Sequence, residues 1–193
     1  MLSLTVHEAA HAWSANRLGD PTARHLGRLS LNPAVHIDPI GTLLLPLIGI
    51  FAGGFLFGWA KPVPVNVANL RGDWRQKYGM IAAAGPASNL VIAVLIALLL
   101  QPQTLGSPFE TSSVALRVLY SVVIMNVGLA VFNLLPVPPL DGGNVLGALL
   151  PRHIAEAFDQ IRPYGFLIIV GLIATGYMVF IESIRDTIVS LLI

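Results

Sequence analysis

The chain has 193 residues, of which 55% are hydrophobic and 11% charged, with a net charge of +1 and a mean hydropathy of +0.76. A soluble domain carries about 25% charged residues, so this deficit and the long uncharged runs place the chain among membrane proteins and give no support to nucleic-acid binding. It has no cysteines, which excludes disulfides and thiolate metal ligands.

No basic start precedes the first apolar residues, and His7 and Glu8 interrupt them, so the amino terminus does not read as a signal peptide. The first helix is predicted over Leu2–Leu18, stopped by the breaker group Gly19-Asp20-Pro21. A spanning helix needs roughly 20 residues, so either the natural protein begins further upstream or this helix is short. A polar connection follows over 22–38, with turn signals at Asn32-Pro33 and Asp38-Pro39. Within it, 28–32 alternates weakly and is read as a short strand.

The second apolar stretch, 40–60, is uncharged but interrupted by Pro46, Gly49, Gly53, Gly54 and Gly58, as expected for a broken or re-entrant segment packed against protein. A basic loop over 61–77 leads to the clearest span, 78–100. The loop 101–113 is rich in Pro, Ser and Thr. The next span, 118–135, ends in Pro136-Val-Pro-Pro-Leu-Asp141-Gly-Gly143, which cannot be a continuous helix. A short helix restarts over 144–150, a last span covers 164–181, and the tail 182–193 has apolar residues at helical spacing suited to the membrane interface.

Basic residues set the orientation. Arg17, Arg24 and Arg28, then Lys61, Arg71, Arg75 and Lys77, then Arg152 and Arg162 mark three cytoplasmic regions, whereas 101–113 carries no Lys or Arg and is external. Two cytoplasmic loops then flank 40–60. This fits a segment that enters and returns on one side; a full span would break the rule once, and both readings stay open. The expected fold is an all-α polytopic membrane protein, a bundle of about five membrane segments with short polar loops. It forms one membrane-embedded domain over 1–193, with a core at 1–150 and the last span and tail at 151–193.

His7-Glu8-Ala9-Ala10-His11 is the motif that carries chemistry. Positions i and i+4 share a helix face, so both imidazoles can bind one zinc ion while Glu8 takes a proton from the metal's water. Five residues in this pattern also arise by chance, as a histidine pair at a helix end. The apolar setting argues against that, because ionisable groups in a membrane span are costly and mark function. Zinc needs a third protein ligand and an open position. Asp141 is the best candidate, since its span and the first helix both end on the cytoplasmic side; the competing reading is a plain Asp-Gly turn.

Asn89 lies about 11 residues into its span, roughly 15 Å deep. There it would hydrogen-bond substrate or an oxyanion, or, as the residues alone favour, bridge two helices beside small neighbours. Asn133 is read either as orienting an unwound substrate strand or as helix-end packing. His36 is a fourth-ligand candidate, with a hydrogen-bonded loop histidine the favoured reading. His25 and His153 read as surface residues, and Trp59 with Lys61 as an interfacial anchor.

Taken together, His7-Glu-Ala-Ala-His11, Leu18-Gly-Asp-Pro21, Leu31-Asn-Pro33, His36-Ile-Asp-Pro39, Gly58-Trp-Ala-Lys-Pro-Val-Pro64, Gly85-Pro-Ala-Ser-Asn89 and Asn133-Leu-Leu-Pro-Val-Pro-Pro-Leu-Asp-Gly-Gly143 resemble the site-2 protease family of intramembrane zinc metalloproteases. The likeness is to short bacterial and archaeal members without a PDZ domain. It implies His7, His11 and Asp141 as ligands of one zinc ion, Glu8 as general base, and a catalytic centre near Asn89 reached by water from the cytoplasm. The expected partners are the lipid bilayer and a membrane protein or peptide substrate, which must unwind locally because helical carbonyls are already hydrogen-bonded. Asn133, Pro136 and Pro138 are expected to present that unwound strand. The rival readings are a metal-binding transporter or sensor, and a catalytically silent scaffold of the same fold.

Overall fold

The protein is described by a computed structural model covering residues 1–51, 58–100 and 113–193. The middle of the 40–60 stretch and nearly all of the 101–113 loop lie outside the described residues. Nine α-helices are described: α1 (Leu2–Leu18), α2 (Thr22–His25), α3 (Leu45–Phe51), α4 (Trp74–Leu100), α5 (Val114–Asn133), α6 (Asp141–Leu149), α7 (Arg152–Asp159), α8 (Gly165–Ala174) and α9 (Met178–Leu192). Trp74–Leu100, Val114–Asn133 and the helical run Arg152–Ala174 are long and apolar enough to cross a membrane. No strand occurs among the described residues.

The strand expected at 28–32 is replaced by side-chain-directed turns. Asn32 N–H donates to Ser30 Oγ at 3.1 Å, and Asn32 Oδ1 accepts from Ala34 N–H at 3.0 Å, capping a 3-10 turn over Pro33–His36. Short polar side chains thus satisfy backbone groups that a ladder would have used.

The packing divides into two compact units, residues 1–85 and 86–193. In the first, α1 turns an unusual face inward. Its buried residues are Ser3, Thr5, His7, Glu8, Ala9, His11, Ala12, Ser14 and Ala15, while Leu2 and Trp13 are exposed. That is the reverse of a soluble amphipathic helix and suits a helix that packs through small and polar residues in an apolar surround. Ala15, Leu70 and Ile81 form the small apolar core beneath it.

Helix α1 stops at Gly19, whose φ of 113° is left-handed and therefore open to glycine; its N–H returns to the Ala15 carbonyl. Lys77 Nζ donates to the Leu18 carbonyl at 3.3 Å, a cation at the negative helix end. Asp20, with no exposed surface, holds the next turn together. It accepts hydrogen bonds from Thr22 N–H and Oγ1, from Asn66 N–H at 2.7 Å and from Asn69 Nδ2 at 2.7 Å. Burial alone would raise its pKa, but these donors outweigh it and hold the carboxyl below its ordinary range.

The two ends of the 40–60 stretch are tied to each other. Trp59 N–H donates to the Gly41 carbonyl at 3.1 Å, Thr42 Oγ1 to the Trp59 carbonyl at 2.8 Å, and Lys61 N–H to the His36 carbonyl at 2.9 Å. Asp38 Oδ1 accepts from Ile40 and Gly41 N–H and so caps the π-helical turn over Pro39–Leu44.

In the second unit, Ala93 and Leu100 of α4, Val123 and Val127 of α5, and Val189 of α9 make one core. The last apolar stretch differs from the expectation. Instead of one span over 164–181 there are two helices, α8 and α9, separated at Thr175–Tyr177 by Gly176 with φ 75°. A residue in the left-handed region ends a helix because the backbone can no longer continue the i to i−4 pattern. In α9, buried Val189 packs with Val123 and Val127 of α5, where burying apolar surface stabilises the pair.

Candidate metal centre

Both motif histidines are buried on the inner face of α1, with ring centroids 4.6 Å apart and planes at 84°. This is the i, i+4 placement that the motif predicted. His11 Nδ1 lies 2.7 Å from the Ile81 carbonyl oxygen. A carbonyl only accepts, so Nδ1 carries the proton, and the lone pair of the ring in its neutral form lies on Nε2. Such a bond fixes ring orientation and tautomer in metal-binding histidines.

Gly85, one turn beyond Ile81 on α4, presents no side chain to this pair. A methyl group built on it would overlap Nε2 of both His7 and His11. The two Nε2 atoms therefore converge on one place, beside the backbone of Gly85. Two buried imidazole nitrogens arranged this way are a donor set suited to zinc, so the residues of this unit fit the metal that the motif implies.

Glu8 is also buried, and its Oε2 accepts from Val63 N–H at 3.1 Å. Val63 stands between Pro62 and Pro64, which have no N–H. It is thus the one backbone donor in that tripeptide, and it is directed at Glu8.

The second unit places the remaining candidates. Asp141 is half-buried and opens α6, where a carboxylate favours the positive helix end. Gly142 and Gly143 have negative φ; their role is close packing, for a Cβ at either would run into backbone of 134–138. Gly165 closes the other side, since a Cβ there would overlap the Pro138 carbonyl. Pro138 is fully buried, whereas Pro136 is exposed. Asn89 is fully buried and its Nδ2 donates to Asn126 Oδ1 at 2.9 Å; Asn126 Nδ2 donates in turn to the Val122 carbonyl at 2.8 Å. Asn133 Nδ2 donates to the Leu129 carbonyl of its own helix at 2.9 Å. His36 Nε2 donates to the Ser30 carbonyl at 2.9 Å, the hydrogen-bonded loop histidine favoured from sequence.

Four participants escaped the sequence reading. Asn126 had a signal, a lone amide in an apolar span. Ile81 and Val63 contribute only backbone groups, which leave no mark on residue type. Gly85 was visible only as the first residue of the Gly85-Pro-Ala-Ser-Asn89 stretch.

The model for peptidase family M50 matches residues 100–173. The chain is 38% identical over 178 residues to "Putative zinc metalloprotease YwhC" of Bacillus subtilis, covering 91% of this chain and 78% of that protein. It is 35% identical over 182 residues to "Putative zinc metalloprotease Rip2" of Mycolicibacterium smegmatis, and 30% identical over 177 residues to the protein of the same name from Mycobacterium tuberculosis. Each of these alignments covers 91% of this chain, but 64% and 65% of the two Rip2 proteins. No solved structure matches the chain.

Proposed function

We propose that this chain, which belongs to peptidase family M50, the site-2 protease family, hydrolyses peptide bonds of transmembrane or membrane-associated substrates as an intramembrane zinc metalloprotease. The observation that carries the reading is the buried pair of Nε2 atoms converging beside Gly85, with the Glu8 carboxylate on the same helix. His7, His11 and Asp141 each offer one ligand atom and are the proposed holders of one zinc ion. Zinc bound there supplies Lewis-acid polarisation of the scissile carbonyl and acidifies a water.

The chain's own groups do the rest. The Ile81 carbonyl keeps His11 in the tautomer whose lone pair is on Nε2, the proposed ligating atom. Val63 N–H steadies the Glu8 carboxylate, which takes a proton from water and passes it to the leaving amine. Asn89 is proposed to contribute an amide near the reacting carbonyl, the bond to Asn126 fixing its orientation. Asn133 and the proline stretch are proposed to hold the unwound substrate strand, with exposed Pro136 in contact with it and buried Pro138 setting the loop's shape.

We read 40–60 as re-entrant. A single crossing would separate its ends by about 30 Å, whereas residues 36–42 and 59–61 are hydrogen-bonded together. With that segment returning on the side it entered, the protein is a multi-pass protein of the cell membrane whose active site opens toward the cytoplasm.

The test compares chelator-sensitive cleavage of a membrane-embedded peptide by wild type and Glu8→Gln. Cleavage by wild type that is abolished in a variant still holding zinc supports the reading. A transporter, sensor or silent scaffold would cleave in neither form.

A further inference from the structure

Metal ligands need more than the right donors; the space where their lone pairs meet must be empty of protein. In the first unit that space is bordered by one face of α4. Ile81 and Gly85 stand four residues apart and so share that face. Ile81 acts through its carbonyl, which receives His11 Nδ1–H at 2.7 Å. Gly85 acts through what it lacks, because the nearest atoms to a Cβ built there are Nε2 and Cε1 of His11 and Nε2 of His7. At that separation the rings have to shift, and the overlap strikes the Nε2 atoms of both at once.

Helix propensity runs the other way. A glycine inside a helix costs about 0.5–1 kcal/mol relative to alanine, and α4 carries Gly85 immediately before Pro86, another residue unfavourable in a helix interior. Local helix stability therefore favours a different residue at 85, and the imidazole contact supplies the reason for glycine.

We propose that Gly85 is a positioning residue for the metal site, its missing side chain sparing the Nε2 atoms of His7 and His11 an overlap and so letting both reach one zinc ion. This rests on the zinc reading of the two histidines. Alanine at 85 forces both rings aside, so zinc binding weakens although no ligand is removed. The expected loss is roughly 10- to 100-fold in affinity, as when other groups that orient metal ligands are altered.

The experiment measures zinc affinity of the full chain in detergent by competition with a chromogenic chelator, together with the visible absorption of the cobalt-substituted protein. It uses wild type, Gly85→Ala, and Gly171→Ala as a control at a helical glycine with open space around it. Gly85→Ala should bind zinc at least tenfold more weakly and give an altered cobalt spectrum, with Gly171→Ala like wild type. Equal affinity and an unchanged spectrum in Gly85→Ala would overturn the assignment while leaving the zinc reading intact. Absence of zinc binding by wild type would instead defeat the reading it rests on.

If Gly85→Ala does not accumulate, the same substitution is made in a His7→Ala, His11→Ala background. With both rings gone it should cost no more thermal stability than Gly171→Ala does. A larger loss there would mean that the obstruction is not with the imidazoles, and the inference would fail.

Discussion

The backbone N–H of Val63 donates to Glu8 Oε2 at 3.1 Å, joining a loop residue to a helix residue 55 positions away. A buried carboxylate with one backbone donor is held in direction but keeps acceptor capacity for other groups. Val63→Pro deletes that donor and keeps an apolar residue. A hydrogen bond to a charged group contributes about 1.5–3 kcal/mol, so cleavage should fall about tenfold or more while zinc content stays the same. Val63→Ala, which keeps the N–H, should retain activity. Glu8→Gln should lose about 10²- to 10⁴-fold. Steady-state rates beside metal analysis would check all three, and equal rates for Val63→Pro and wild type would remove Val63 from the mechanism.

Asp20 predicts an acid-sensitive fold. Burial raises its pKa, and the donors from Asn69, Thr22 and Asn66 more than reverse this, so its folded value lies below the unfolded value of about 3.9. A depressed carboxylate contributes stability above its unfolded pKa and loses it as pH falls through the folded one. The thermal stability of wild type should therefore fall as pH drops below about 4. Asp20→Ala should be less stable near neutrality, by about 1–3 kcal/mol for the polar partners left behind, and its acid dependence should be flatter. An unchanged acid profile in Asp20→Ala would show that other groups govern it.

How much of this was legible beforehand varies with the kind of group involved. Helix α1 was read to its observed bounds, because Gly19-Asp20-Pro21 is a stop written in residue types and the His7, Glu8, His11 spacing is a helix-face pattern. The division of the last apolar stretch at Gly176 was not read. A single glycine in an uncharged run is compatible with a continuous helix, so residue types alone did not show that Gly176 takes a left-handed φ. The strand reading at 28–32 failed because five weakly alternating residues could not outweigh the local capping by Ser30 and Asn32. Ile81 and Val63 were beyond reach, since a carbonyl and an N–H exist at nearly every position.

The Asn89–Asn126 bond predicts coupling between two helices. Replacing either with alanine should destabilise the protein, and a double-mutant cycle should give a coupling of about 0.5–2 kcal/mol. If Asn89 also serves the reaction, Asn89→Ala should lower cleavage by more than Asn126→Ala at matched stability. Equal losses would reduce Asn89 to a structural role.

Gly165 bears on the loop that precedes Asp141. A side chain there meets the Pro138 carbonyl, so Gly165→Ala should displace the 134–138 backbone against which Gly142 and Gly143 pack. Cleavage should drop at least tenfold and unfolding temperature should fall, whereas Gly171→Ala, in open space on the same helix, should change neither. Wild-type cleavage by Gly165→Ala would show that the loop's position does not matter to activity.

The most direct test of the zinc protease is re-metallation. Protein stripped with a chelator is titrated with zinc while cleavage of a reconstituted transmembrane peptide is followed, for wild type, Asp141→Ala and Glu8→Gln. One equivalent should restore wild-type cleavage; Glu8→Gln should take up the same equivalent and stay inactive, and Asp141→Ala should need far more zinc. Cleavage by the stripped protein, or full activity in Glu8→Gln, would contradict the assignment of Glu8 and the metal.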